Sequence, residues 1–207
     1  MHMGQNLVID RRITRTKLAI RNALVSLIEE KGFDDLSVSE IAIKANINRG
    51  TFYLHYKDKF DLLEQTGAEV LQDLENIFRH AKSLRIADFI STDQPFPITV
   101  ELLEYVKENE ALVRVLFGLG GGIAFRAKLR KVVENTLKLG FLAGLKEENF
   151  LVPREFLVSY LLHAHFGVVQ SWLENGCKES PQEMAQILSR LSLDGPFRAT
   201  GLDLNNS

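Results

Sequence analysis

The stretch Asn48-Arg49-Gly50-Thr51-Phe52-Tyr53-Leu54-His55-Tyr56 holds the side chains best suited to chemistry with a polyanion. Arg49 carries a planar fork that matches O6 and N7 of guanine in the major groove, and Thr51 offers a methyl to thymine. Tyr53, His55 and, just beyond, Lys59 supply donors for phosphate oxygens. Gly50 has no side chain to hold the backbone away from a ligand. Phe52 is the expected core anchor, while Asn48 and Tyr56 join the expected contact set. Ser37 stands at a helix start, where free amides and a hydroxyl can bind another phosphate. Arg15 and Lys17 belong to a basic run, Arg11, Arg12, Arg15, Lys17 and Arg21, with no acid inside it. A solvated face explains such a run in isolation; beside a DNA-reading element it suits phosphate or minor-groove contact.

Other chemistry is poorly served. Gly118-Leu119-Gly120-Gly121-Gly122 follows no strand, lacks the last glycine of the dinucleotide fingerprint and has no Gly-Lys-Ser/Thr, so it reads as an inter-helix connection. His163 and His165 are two apart and point to different faces of a helix. No cysteine or carboxylate near them completes a metal set. Cys177 is the sole cysteine, which rules out an internal disulfide and fits a reducing compartment, the cytoplasm. No nucleophile elbow and no His-Glu-x-x-His occurs. The expectation is a non-enzyme with no cofactor and no metal.

The elements that must position these residues are helical nearly throughout, and 45% hydrophobic content over 207 residues is enough for one or two packed cores. The net charge of −2 excludes a wholly basic nucleic-acid coat, but the charge is segregated: a basic front end precedes an acid-rich body with Glu101, Glu104, Glu108 and Glu110. Ile20, Ala23, Leu24, Leu27 and Ile28 follow helical spacing and predict an amphipathic helix over 13–30, closed by Gly32. Ser37 and Glu40 have capping-box spacing for a short second helix to Lys44. Asn46 suits a left-handed turn. Asn48 caps a third helix through Leu54, and Asp58 a long one over 59–83 whose buried face is Leu63, Val70, Leu74, Ile77 and Phe78. The segment 88–97 reads as a loop, and further helices are expected over 98–108, 110–117, 123–145 and from Pro153 to Asn175-Gly176. Ser180-Pro181-Gln182-Glu183 opens a final helix to Ser192, with a loose tail after Asp194. Residues 156–173 carry no charge, but Ser159, His163, His165, Gln170 and Ser171 make them a buried helix rather than a membrane span.

Two short helices joined by a tight turn, packed on a first and followed by a long one, have helix-turn-helix geometry. The segment 20–63 resembles the N-terminal domain of the TetR family. Its landmarks are Glu30-Lys31-Gly32-Phe33, Ser37-Val38-Ser39-Glu40-Ile41-Ala42, Ala45-Asn46-Ile47 and Gly50-Thr51-Phe52-Tyr53-Leu54-His55-Tyr56-Lys57-Asp58-Lys59. The resemblance implies DNA contacts from Ser37, Arg49, Thr51, Tyr53, His55 and Lys59. It departs at Asn46, where the family usually has glycine. The stretches 165–176 and 180–185 resemble C-terminal domains common in regulators of that family from low-GC Gram-positive bacteria, the dihydroxyacetone-kinase operon regulators among them.

The resulting expectation is an all-α chain. Residues 1–58 form a three-helix helix-turn-helix DNA-binding domain, and residues 59–207 a helical ligand-binding and dimerisation domain. The last two long helices are each apolar enough to pair with a second copy, giving a homodimer on a pseudo-palindromic double-stranded operator. A small-molecule effector, uncharged or aromatic, is expected among Phe117, Phe141, His163, His165, Phe166 and Trp172. The resemblance implies repression relieved by that effector. Two rivals remain: a protein-interaction partner of the same fold that no longer reads DNA, and an α-helical enzyme with a buried pocket.

Overall fold

The computed structural model describes residues 3–80, 94–117, 122–138, 142 and 145–200. Among these residues the regular structure is helical, without strands: α1 (Met3–Lys31), α2 (Val38–Lys44), α3 (Arg49–Tyr53), α4 (Lys59–His80), α5 (Pro97–Glu108), α6 (Glu110–Phe117), α7 (Gly122–Thr136), α8 (Arg154–Glu174), α9 (Pro181–Leu193) and α10 (Gly195–Ala199).

Local chemistry sets most of these boundaries. Gly32 takes φ +82 after α1. The Ser37 hydroxyl accepts from the Glu40 amide, and Glu40 accepts from the Ser37 amide, completing the capping box of α2. Asp58 Oδ1 accepts from the amides of Phe60 and Asp61, both at 2.8 Å, and starts α4. Ser180 and Glu183 repeat the reciprocal cap at α9, with Pro181 at its first position. The α8 end is a Schellman motif, in which the Gly176 amide bonds Leu173 O and the Cys177 amide bonds Trp172 O.

Three boundaries differ from the sequence reading. α1 begins ten residues before the expected start at Ile13, because extending an existing helix costs no new nucleus. α7 ends at Thr136 rather than near 145, and a 3-10 turn occupies Glu147–Asn149. The tail after Asp194 forms the short α10, entered through Gly195 at φ +77. The connection 118–121 and most of the loop 88–97 lie outside the described residues. No helix among them is long and apolar enough to cross a membrane. The expectation of a buried helix over 156–173 holds for one side of α8 only: Val158, Leu162, Trp172 and Leu173 are buried, while Phe156, Tyr160, His163, Ala164 and Gly167 are exposed in the single chain.

The chain divides into two compact units. One holds residues 1–70 and 111–126, the other 71–110 and 127–207. α6 and the start of α7 therefore belong with the N-terminal helices. The core of the first unit is Ile20, Leu24, Ile41, Phe52, Tyr56 and Leu62 with their neighbours. Within it, a methyl added at Gly67 of α4 would stand 3.2 Å from the Phe125 ring and 3.5 Å from Leu116, so α4 meets these helices closely. Leu62 and Thr66 of α4 are buried, and Leu63 is only half-buried; the inward stripe begins one residue earlier than the sequence suggested. In the second unit α9 packs on α5 and α8. Lys107 Nζ ties the end of α5 to the α8–α9 turn by donating to Cys177 O and Glu179 O at 3.1 and 3.2 Å.

Candidate nucleic-acid interface

The interface is built outward from Phe52. This ring has no exposed surface, and α3 is too short to stand alone, so Phe52 is what pins it to α1 and α4. With Phe52 turned inward, 100° per residue places Gly50 and Leu54 on the opposite side of α3, flanked by Tyr53 and Thr51, with Arg49 beyond Tyr53. Asn48, Arg49, Gly50, Tyr53 and Leu54 are all exposed, and Thr51 and His55 are half-buried beside them.

The turn that aims α3 is a second Schellman motif. Ile47 N–H bonds Ala42 O and Asn46 N–H bonds Ile43 O, both at 3.0 Å, with Asn46 at φ 53 in the place that favours glycine. Asn48 then caps α3, its Oδ1 accepting from the Gly50 amide at 2.8 Å. A methyl at Gly50 would lie 3.3 Å from that cap oxygen, so glycine keeps the cap uncrowded as well as the surface low.

Two ion pairs hold α2 against the end of α1: Lys31 with Glu40, and Lys44 with Glu30 at 2.6 Å. The Lys31 ammonium and the Ser37 hydroxyl pull the Glu40 carboxyl down to about 2. The Ser37 hydroxyl also donates to Glu40 Oε2 at 2.7 Å, so it is committed to the cap.

Two expected contact residues are placed differently. Tyr56 is 3% exposed and packs on Phe52, with ring centroids 5.6 Å apart. Burial, with help from Glu69 and Asp61, pushes its hydroxyl up to about 12. Tyr56 is a core residue rather than a surface contact, because the turn after α3 rotates it back beneath Phe52. Lys59 is half-buried and donates to Phe33 O at 3.0 Å and Asp34 O at 2.7 Å. Its ammonium also sits 4.9 Å from the Phe33 ring centroid and 5.4 Å from that of Phe60. Two of its three donors thus tie the start of α4 to the α1–α2 connection. Arg15 is exposed on α1 and Lys17 half-buried, its ammonium 5.9 Å from the centroid of the Tyr56 ring.

The sequence reading passed over Leu54 and Ile43, which are 81% and 78% exposed. The helical phase set by Phe52 is the signal that finds Leu54.

The residues expected around an effector fall in both units. Phe117 lies in the first unit, edge-on to Phe125 at 6.1 Å. His163 is exposed and contacts Ser159 O through Nδ1 at 2.7 Å. His165 is half-buried, its Nδ1 2.6 Å from Leu161 O and its Nε2 3.3 Å from Ser192 Oγ; burial lowers its pKa. Phe166 is half-buried and Trp172 is 2% exposed. Phe141 lies outside the described residues. Among the described residues no group of His, Cys, Asp and Glu could hold a metal ion.

A capped two-helix unit with a buried anchor and an exposed basic-aromatic face is the head of a helix-turn-helix DNA-binding protein. Residues 20–66 match the profile of the bacterial regulatory proteins of the tetR family, and residues 93–194 match a transcriptional regulator C-terminal region of the same family. The chain belongs to the TetR family of transcriptional regulators. The uncharacterized HTH-type transcriptional regulator YxbF of Bacillus subtilis (strain 168) is 23% identical over 175 residues, covering 81% of this chain and 42% of YxbF. The chain spans less than half the length of the curated relatives it matches. A TetR transcriptional regulator from Streptococcus agalactiae 2603V is 26% identical, with TM-score 0.56 over 90% of this chain and 98% of that one. The fatty acid degradation regulator FadR from Bacillus halodurans shares the fold at 18% identity, with TM-score 0.66 over 87% of this chain and 96% of that one.

Proposed function

We propose that this regulator is a homodimeric repressor whose operator affinity falls when a small molecule binds its C-terminal part. In this reading residues 1–58 read DNA in the cytoplasm, and residues 59–207 bind the effector and dimerise. The observation that carries it is the face of α3, where Arg49 and Tyr53 stand exposed over the fully buried Phe52. Arg49, Thr51 and the neighbouring Leu54 meet base edges, while Tyr53, His55, Arg15, Lys17 and the α2 amides behind Ser37 meet phosphates.

Dimerisation is supported by α8. Phe156 and Tyr160 are 66% and 52% exposed in the single chain, and His163, Ala164 and Gly167 continue the same exposed face without a charge. Ile187 and Leu193 of α9 are also exposed. Two such helices from each of two copies form a four-helix bundle and set two α3 helices on a pseudo-palindrome. Trp172 supports an effector site on α8, because its buried Nε1 has no hydrogen-bond partner among the described residues and an unpaired buried donor is costly. An uncharged or aromatic effector with one acceptor suits it. Effector binding displaces α4, which runs from Lys59 into the second unit, and changes the spacing of the two heads.

The test is binding of the purified protein to DNA upstream of its own gene at two salt concentrations, beside an Arg49→Ala, Tyr53→Ala double variant. Salt-sensitive binding to an inverted repeat, lost in the double variant, is the expected result. If neither that DNA nor a random-sequence selection yields a site, the protein-interaction reading replaces it. Candidate effectors, uncharged and aromatic small molecules, are then screened by quenching of Trp172, the sole tryptophan; quenching must accompany release of the DNA.

A further inference from the structure

Arg49 is not a free surface side chain. Its Nη2 donates to the Tyr53 hydroxyl oxygen at 3.0 Å, and its guanidinium carbon lies 5.5 Å from the centroid of the Tyr53 ring. The two residues are one turn apart on α3. Tyr53 is itself held, its ring edge-on to buried Phe52 with centroids 5.6 Å apart and planes at 88°. Fixation therefore passes from the core through Phe52 and Tyr53 to the guanidinium.

We propose that Tyr53 is a positioning residue for base reading: it holds the Arg49 fork in the orientation that engages one guanine in each half-site. The inference rests on the DNA-reading assignment above and adds a specificity role to a residue otherwise counted as a phosphate ligand. An unrestrained arginine must be ordered when it binds, and that ordering cost falls on every base it meets. A side chain already held in the free protein loses less, and its planar fork spends the difference on geometry. One of the five guanidinium N–H groups is used by Tyr53, leaving four to reach O6 and N7.

The direction of the hydrogen bond matters. Tyr53 accepts from Arg49, so its own O–H remains available to donate to a phosphate. Donation to an anion makes the phenol oxygen a stronger acceptor. Docking on the backbone thus tightens the hold on Arg49 instead of competing for it, and sequence reading is coupled to correct seating on the phosphates.

A phosphate ligand and a positioning residue leave different signatures. Loss of a phosphate contact weakens binding about equally on all sequences; loss of positioning compresses discrimination at one base. The experiment uses the full chain and an operator recovered by random-sequence selection. Each guanine is replaced in turn by 7-deazaguanine, which lacks N7, and dissociation constants are measured for the wild type, Y53F, R49A and the double variant. Wild type is expected to lose about tenfold at one guanine per half-site, and Y53F about threefold or less at that same guanine. R49A and the double variant lose nothing further there. Y53F keeps the ring and its packing on Phe52, so it folds. The proposal is overturned if Y53F binds every operator more weakly but with the wild-type penalty at that guanine, or if R49A retains that penalty. Failure of the wild type to select any operator would instead remove the DNA-reading assignment itself, and this inference with it.

Discussion

Replacing Lys59 by methionine separates two roles for this lysine that the sequence does not distinguish. In the structure its ammonium donates to Phe33 O and Asp34 O at 3.0 and 2.7 Å and lies over the Phe33 and Phe60 rings. Hydrogen bonds to a charged group contribute about 1.5–3 kcal/mol each when well shielded. Here Asp34 is exposed and Lys59 half-buried, so water can replace part of each bond and the pair is worth far less than its shielded sum. Methionine fills the aliphatic space but offers no donor. The expected loss is about 1–2 kcal/mol of folding stability. The assay is urea unfolding of wild type and K59M at equal protein concentration, since any dimer makes the midpoint concentration-dependent. The midpoint should fall with the slope unchanged, because the surface exposed on unfolding is the same. The salt dependence of operator binding should change by less than about one ion equivalent per head. An unchanged midpoint, together with a clear drop in the salt slope, would refute the anchoring argument and restore Lys59 as a plain phosphate ligand.

At the α2–α3 turn, Asn46→Gly should keep DNA binding and full stability, whereas Asn46→Ala should cost about 1–2 kcal/mol, because φ 53 strains any side chain that cannot bond locally; equal midpoints for the two variants would show that the left-handed turn is not under strain. Gly167 has no atom within 4 Å of where a Cβ would sit, so Gly167→Leu should stabilise an isolated chain by about 0.5–1 kcal/mol; loss of the dimer in sedimentation, with the helical signal retained, is the outcome the α8 interface requires. Burial lowers the pKa of His165 below its ordinary 6.5, so the unfolded chain takes up the proton first, and stability falls as pH drops from about 6.5 through the folded value. His165→Gln should flatten that limb of the urea midpoint against pH. For Glu40 the sign is the reverse of a raised group: its folded value of about 2 lies below the ordinary 4.5, so its stabilisation is complete above about pH 4.5 and is lost towards pH 2. Wild type and Glu40→Gln should therefore differ in midpoint near neutrality and converge in acid; parallel curves would discount the Lys31–Glu40–Ser37 arrangement.

Where a boundary depends on bonds that span a few residues, the chain announces it. Ser37 with Glu40, Asn46, Asn48, Asp58 and Ser180-Pro181 with Glu183 are each legible because the donor, the acceptor and the turn they close lie within one helical turn of one another. The same locality makes the α3 surface readable, since a buried Phe52 fixes by phase alone which neighbours face away. What depends on partners far along the chain was decided only in three dimensions. Tyr56 looked like a surface contact and is core, because Phe52 and the α1 and α4 residues around it close over its ring. Lys59 looked like a phosphate ligand alone and also serves as an anchor, because the carbonyls it binds lie twenty-five and twenty-six residues earlier. α6 gathers with the N-terminal helices although forty residues separate Val70 from Ala111, since Leu116 and Phe125 fill the space that Gly67 leaves on α4. Sequence carries the stereochemistry of each turn; burial, and with it the roles of Tyr56 and Lys59, follows from which distant side chains the packed core brings against them.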